Sequence, residues 1–224
     1  MTGSSPPLDR LTRLQRDLLA AFFAREGRFT LTGGGALVGY YFGHRETHDL
    51  DLFATPGPDL VEAARVLAEA AAACGATLGP VRRSPSFARY LSQRGEERCL
   101  VDLVVDSTPR VGGEPLRFGE VRVDSLAEIA ANKVDALLGR SEIRDLVDLM
   151  FILGAGVQLD QAMLGAERKD AGADPATLAW VLDQISIPPA ARLPGGADPV
   201  ALDGFRKDVV RRLRLLALEW AERR

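Results

Sequence analysis

Thiol and imidazole chemistry are nearly missing from this sequence. Two cysteines, Cys74 and Cys99, and two histidines, His44 and His48, occur in 224 residues. The cysteines are far apart and form no CxxC, which excludes a disulfide framework and fits a reducing compartment. His44 and His48 are four apart but flank an expected loop, with no third ligand of zinc spacing, so no zinc site is expected. No run approaches the roughly 18 apolar residues of a membrane span, and the first residues lack the apolar stretch of a secretory signal. A cytoplasmic protein with no membrane partner is expected. Nor is there an excess of positive charge: 28 Lys and Arg stand against 31 Asp and Glu, a net charge of −3. No global basic field therefore marks nucleic acid as a partner, although local patches remain open.

What the sequence does have is patterning. Hydrophobic residues at 46% and charged residues at 26% are ordinary for a globular chain able to bury a core. Leu8, Leu11, Leu14, Leu18 and Phe22 recur at helical spacing behind Pro6 and Pro7. A short strand at 29–32 runs into Gly33-Gly34-Gly35, and a short helix is expected over 36–42. A strand around 49–53 and an Ala-rich helix at 59–74 follow. Strands are expected at 77–82, 87–93, 97–106 and 119–123, the second and third joined by a turn at Arg94-Gly95. Ser125 and Glu128 form a capping-box pattern for a helix to about 138, which Gly139 is expected to break. A helix over about 141–153 precedes further helices. The last carries an apolar stripe of Leu202, Phe205, Val209, Leu213, Leu216 and Trp220. These elements predict an α+β fold: a small mixed sheet flanked by helices in residues 1–124, followed by a helical region in residues 125–224.

The chemistry concentrates in LTGGGALVGYYFGHRETHDLDLF, residues 31–53. Side chains two apart on a strand share a face, so Asp49 and Asp51 point together while Leu50 and Leu52 pack behind them. Two carboxylates held that close repel unless a cation lies between them, and Mg²⁺ or Mn²⁺ is the expected ion. Asp102 sits in a second apolar strand, CLVDLVVD, where a carboxylate is costly unless paired or metal-bound. Asp49, Asp51 and Asp102 together would form a two-metal catalytic site. Asp106 shares the face of Asp102 at the strand's end. Gly33, Gly34 and Gly35, between strand and helix, offer backbone amides to a phosphate, and Arg45 offers it a bidentate donor. Each piece has a plainer reading: a capped surface strand, a tight turn, a surface arginine.

The set of motifs resembles the nucleotidyltransferase superfamily signature: a hydrophobic strand, a glycine pair, a short helix, then Asp-x-Asp. More narrowly it is similar to the AbiEii/AbiGii (abortive-infection, MenT-like) toxin family. That family shows GGTAL, a His-Arg pair before Ser-x-Asp-Leu-Asp-Leu-Phe, and a later helical Lys followed by Arg-Asp-x-x-Asp-Leu. Here the later pieces are Lys133 in IAANKVDALLGR and RDLVDL at 144–149, so the likeness runs from about residue 29 to 153. It implies a metal-dependent enzyme that moves a nucleoside monophosphate from an NTP to a tRNA 3′ end or a protein hydroxyl. It also implies a role as the toxin of a toxin–antitoxin or abortive-infection system, with a cognate antitoxin as partner. On matching positions, Gly33 and Gly34 would hold the triphosphate and Asp49 and Asp51 the metals. Lys133 would contact phosphates, Asp148 would complete the site, and Asp145 and Arg140 would assist. Gly35 departs from the family, which has Thr or Ser there, and a hydroxyl contact to phosphate is expected to be lost. That departure leaves a second reading open, an NTP-binding or protein-interaction module without turnover. A third takes DLD as the metal motif of a sugar-nucleotide glycosyltransferase; the glycine pair and the Lys and RDxxD elements oppose it.

Taken alone, Lys133 reads as an exposed helical lysine, and Arg144, Asp145 and Asp148 as a solvated salt-bridge cluster. The basic side of the last helix, with Arg206, Lys207, Arg211 and Arg214, reads as a solvated face before it reads as an RNA site.

Overall fold

The computed structural model describes residues 6–222. These form two compact units. One runs through Thr108 and includes Glu114–Ser125; the other comprises Pro109–Gly113 and the chain from Leu126 onward. The outermost residues of the expected domains, 1–5 and 223–224, lie outside the described residues.

The first unit is built on a seven-stranded mixed sheet. In chain order its strands are β1 (Thr30–Thr32), β2 (Asp49–Ala54), β3 (Thr77–Arg83), β4 (Phe87–Arg94), β5 (Glu97–Val105), β6 (Leu116–Phe118) and β7 (Val121–Val123). They lie side by side as β3-β4-β5-β2-β1-β7-β6. The β2/β5 and β1/β7 pairs are parallel and the others antiparallel. Strict alternation in β2 buries Leu50, Leu52 and Ala54 and leaves Asp49, Asp51 and Phe53 half-buried. Val101 and Leu103 of β5 and Ala88 and Tyr90 of β4 continue the apolar face. Helices α1 (Arg13–Phe23) and α3 (Leu60–Ala73) pack against the sheet, and Ala64 and Ala68 of α3 share a groove with Ala88 and Tyr90 on the apolar side. One face of the sheet is thus core, and the other is left for polar side chains.

Three expectations change here. Helix α1 begins at Arg13, not near Leu8, because Thr12 and Gln15 cap it reciprocally and Leu11 is extended; Leu8–Arg10 is a separate 3₁₀ turn. The glycine run is not a loop ahead of a helix. It is the helix's first turn, α2 (Gly33–Ala36), continuing as a π-helical segment, Leu37–Tyr41. The strand expected at 119–123 is a hairpin, β6 and β7, turning at Gly119 with φ +61°.

The second unit is helical: α4 (Leu126–Arg140), α5 (Ile143–Gly154), α6 (Leu159–Lys169), α7 (Pro175–Asp183) and α8 (Pro199–Ala221). Helix α4 packs on α5, α6 and α7, and α8 on α7 and α5. Gly139 does not break α4, which continues to Arg140; the chain reverses at Ser141, the one non-glycine residue with positive φ, 52°, among the described residues. No helix among the described residues is long and apolar enough to cross a membrane. Each described cation of the basic side of α8 has an acidic neighbour: Arg206 and Lys207 share Asp203, Arg211 and Arg212 share Asp208, and Arg214 pairs with Asp183.

Helices α4 and α6 approach closely at Gly165, where a methyl would lie 2.9 Å from Ala131 Cβ. Alanine in an open helix is favoured over glycine by about 1 kcal/mol, but overpacking costs about 1–3 kcal/mol. Gly165→Ala should therefore destabilise the protein. Gly204→Ala in α8, with nothing within 4 Å of its added methyl, should stabilise it by up to about 1 kcal/mol. Urea denaturation of the two variants beside the parent checks both signs.

Candidate active site

Strand register places one residue from each of four strands in a row. Arg89 of β4 pairs with Asp102 of β5, Asp102 with Asp51 of β2, and Asp51 with Thr32 of β1. Directly paired residues share a face, so these four side chains lie together on the polar side of the sheet. Asp49, two residues before Asp51, joins them. Its Oδ1 accepts a hydrogen bond of 2.8 Å from Thr47 Oγ1. The Thr47 carbonyl in turn accepts one of 3.0 Å from Gln15 Nε2, a fully buried side chain that also caps α1. A continuous chain of contacts from the α1 cap to the Asp49 carboxylate fixes its rotamer.

The glycines fit around these acids, each differently. Gly33 has φ +61°, a left-handed conformation costly to any residue with a Cβ, and a Cβ there would collide with Asp51 Oδ2. The carboxylate therefore packs directly on the helix start. A methyl at Gly34 would lie 2.6 Å from Arg45 Nη2 and 3.2 Å from Thr47 Oγ1. The buried Arg45, donating to the Glu46 carbonyl at 2.8 Å, thus has its guanidinium against the glycine turn. Gly35 faces elsewhere. A methyl there would meet Leu50 Cδ2 at 3.2 Å, Leu31 Cδ1 at 3.3 Å and the Asp49 carbonyl at 3.5 Å, in the apolar layer. Its departure from the family pattern bears on packing beneath the turn, and the hydroxyl expected to touch phosphate would begin from the core side.

Asp102 is held by a cation from the neighbouring strand. Arg89 Nε donates to Oδ1 at 2.7 Å and Nη2 to Oδ2 at 2.6 Å, a bidentate fork. Among the described residues no three acidic, histidine or cysteine side chains converge as a metal cage. The expected trio shares one sheet face, but Asp102 is held by a cation of the protein itself. Asp49 and Asp51, hard oxygen donors on one face beside a turn that excludes any Cβ, suit a Mg²⁺-type ion. Asp106 closes a turn after β5, accepting from Thr108 N at 2.9 Å and Thr108 Oγ1 at 2.7 Å.

Sequence reasoning missed Arg89, because its partner depends on the hairpin register. The turn lies at Gly95-Glu96, one residue later than the expected Arg94-Gly95, and this register pairs Arg89 with Asp102, where the expected turn pairs it with Leu100. Thr32 ends the row with a buried Oγ1 that has no hydrogen-bond partner among the described residues.

The helical unit holds the second cluster. Lys133 Nζ of α4 lies 2.7 Å from Asp145 Oδ1 and 2.6 Å from Asp148 Oδ2, both on α5 one turn apart. Arg140 adds Nε to Asp145 Oδ2 at 2.8 Å and Nη2 to Oδ1 at 3.1 Å. Both aspartates are fully buried and Lys133 is nearly so. The exposed lysine and the solvated cluster that these residues suggest in isolation are therefore not what forms; Arg144 alone turns outward, to Glu142. Burial opposes ionisation of Asp145, but Arg140 and Lys133 outweigh it and hold the carboxyl below its ordinary range. Glu128 behaves likewise: burial is offset by Lys169 and by the amides of Gly112 and Val111, each donating at 2.7 Å.

A mixed sheet carrying Asp-x-Asp beside a glycine-led helix, with a helical unit following, defines the nucleotidyltransferase class. The chain belongs to the AbiEii family, described as nucleotidyl transferase AbiEii toxin of the type IV toxin–antitoxin system, whose model matches residues 16–223. Solved structures share the fold at low identity. A putative nucleotidyltransferase from Helicobacter pylori superposes with a TM-score of 0.58 at 20% identity, covering 94% of this chain and 97% of that one. JHP933 from the same species gives 0.55 at 18%, covering 94% of each chain. The MenT4 nucleotidyltransferase toxin of Mycobacterium tuberculosis gives 0.56 at 17%, covering 89% of this chain and 80% of that one. No curated protein matches the sequence.

Two outcomes follow from the buried charges. Lys133→Met removes the cation shared by two buried carboxylates and should cost about 3–5 kcal/mol of stability, part of which Asp148→Asn in the same chain should restore; chemical denaturation measures both. The carboxyls of Asp145 and Glu128 titrate lower folded than unfolded, so their stabilisation is complete above their ordinary values of 3.8 and 4.5. It is lost as pH falls below them. Thermal midpoints followed from pH 6 to pH 3 should drop through that window, and less steeply in Glu128→Gln.

Proposed function

We propose that this nucleotidyltransferase moves a nucleoside monophosphate from an NTP to an acceptor hydroxyl, with release of pyrophosphate, using a divalent ion held by Asp49 and Asp51. The carrying observation is the packing of Asp51 directly on Gly33, which puts the acidic pair at the turn where backbone amides and Arg45 can receive phosphate. When bound, Mg²⁺ or Mn²⁺ supplies charge neutralisation for the triphosphate and lowers the barrier to attack by the acceptor oxygen. Thr47 and Gln15 orient Asp49, Gly33 and Gly34 keep the turn free of side chains, and Arg45 balances phosphate charge. Transfer also requires Lys133 and Asp148 of the helical unit, with Asp145 and Arg140 orienting Lys133. The acceptor is a tRNA 3′ end or a protein hydroxyl, the setting is the cytoplasm, and a cognate antitoxin restrains the activity. These finer roles rest on the family likeness.

The alternative is a module that binds NTP without turnover, motivated by Gly35. The direction of position 35, toward Leu31 and Leu50, weakens that motive, since the departure need not cost a phosphate contact.

Incubation with Mg²⁺ or Mn²⁺, total tRNA and each α-labelled NTP in turn should place label on RNA or on protein. Asp49→Ala and Asp51→Ala should lower incorporation by at least about 100-fold, on the scale of losing one electrostatic stabiliser, and chelation should abolish it. NTP binding without label from any nucleotide would favour the module.

A further inference from the structure

Arg89 has no part in the transfer outlined above, yet it makes a bidentate contact on the carboxylate face. Both of its fork nitrogens reach Asp102, at 2.7 and 2.6 Å, and use both carboxylate oxygens. Asp102 is only 4% exposed, whereas the Arg89 side chain is 38% exposed. The guanidinium carbon also lies 5.7 Å from the centroid of Phe87, two residues earlier on the same face. That aromatic face restrains the fork as a cation–π partner. Register sets Asp102 directly opposite Asp51, so without Arg89 a nearly buried carboxylate would confront a second one across adjacent strands. The fields of Asp102, Asp49 and Asp51 all act on Arg89 and hold it ionised.

We propose that Arg89 is the resident cation of the third carboxylate: by occupying both oxygens of Asp102 it keeps that residue out of metal coordination and limits this face to a single divalent ion at Asp49 and Asp51. The assignment rests on the metal reading of the acidic pair. A planar fork satisfies a carboxylate bidentately at fixed geometry, and a second ion could reach the nearly buried Asp102 only by breaking that pair. Lysine, with a single ammonium, would hold Asp102 less firmly.

The test is Mn²⁺ titration of the whole protein, with free ion read by electron paramagnetic resonance. The parent should bind about one ion and Asp102→Asn the same number. Arg89→Gln should gain a second ion, and Arg89→Gln with Asp102→Asn should lose it again. Two ions on the parent, one of them lost in Asp102→Asn, would overturn the proposal, as would a folded Arg89→Gln with the parent's ion count. If Arg89→Gln does not fold, the parent and Asp102→Asn decide by themselves, and Arg89→Lys should show partial gain. A parent that binds no Mn²⁺ would remove the metal reading of Asp49 and Asp51. An ion gained in Arg89→Gln and dependent on Asp102 would still uphold the role of Arg89.

Discussion

Repulsion between carboxylates on neighbouring strands is the constraint around which the sheet unit is organised. Strands lie about 4.8 Å apart, and two ionised carboxylates facing each other at about 5 Å repel by about 3 kcal/mol at an effective dielectric of 20. Asp51 and Asp102 are placed in that relation by the parallel β2/β5 register. A fold that retains both must supply positive charge, and this one does so on either side of the row. Arg89 clamps Asp102 from β4, while Asp51 sits against the opening turn of α2 at Gly33. Asp49, held by Thr47, completes the acidic row on this face.

The same electrostatic logic recurs inside the helical unit, with a different outcome. Lys133 bridges Asp145 and Asp148 and Arg140 pairs with Asp145; the two carboxylates and the lysine are buried, while Arg140 is half exposed. Such a cluster costs much to desolvate and contributes little net stability compared with apolar packing. Its value lies in fixing one lysine in one place on the α4–α5 hairpin. Glu128 does analogous work for the backbone, tying Val111 and Gly112 to α4 while Lys169 of α6 neutralises it.

Legibility followed the range of the interactions. Alternation in DLDLF announced which side chains of β2 face the core, since period-two patterning is a local property of the backbone. Lys133 and the two aspartates of RDLVDL were legible only as parts of a family motif. Their own helical spacing described surface residues, because a helix wheel contains no information about what a neighbouring helix brings. Gly139 misled for a related reason: its propensity to break a helix is small, about 1 kcal/mol, and packing of α4 on three helices overrides it. Arg89 stayed hidden because a turn misplaced by one residue shifts the hairpin register by two, and its partner mattered only once β5 was known to adjoin β2.

By itself the sequence determined the α+β class, the acidic pair, the glycine turn and the family, because these depend on residue order and short-range geometry. Tertiary structure alone decided which carboxylates keep company with which cations. Strand order put Arg89, Asp102, Asp51 and Thr32 in one row, and the close packing of α4 on α5 turned three apparently exposed charges into a buried cluster. Such pairings join residues far apart along the chain, and the energy of an ion pair is set by distance and dehydration in space, neither of which is encoded in local pattern.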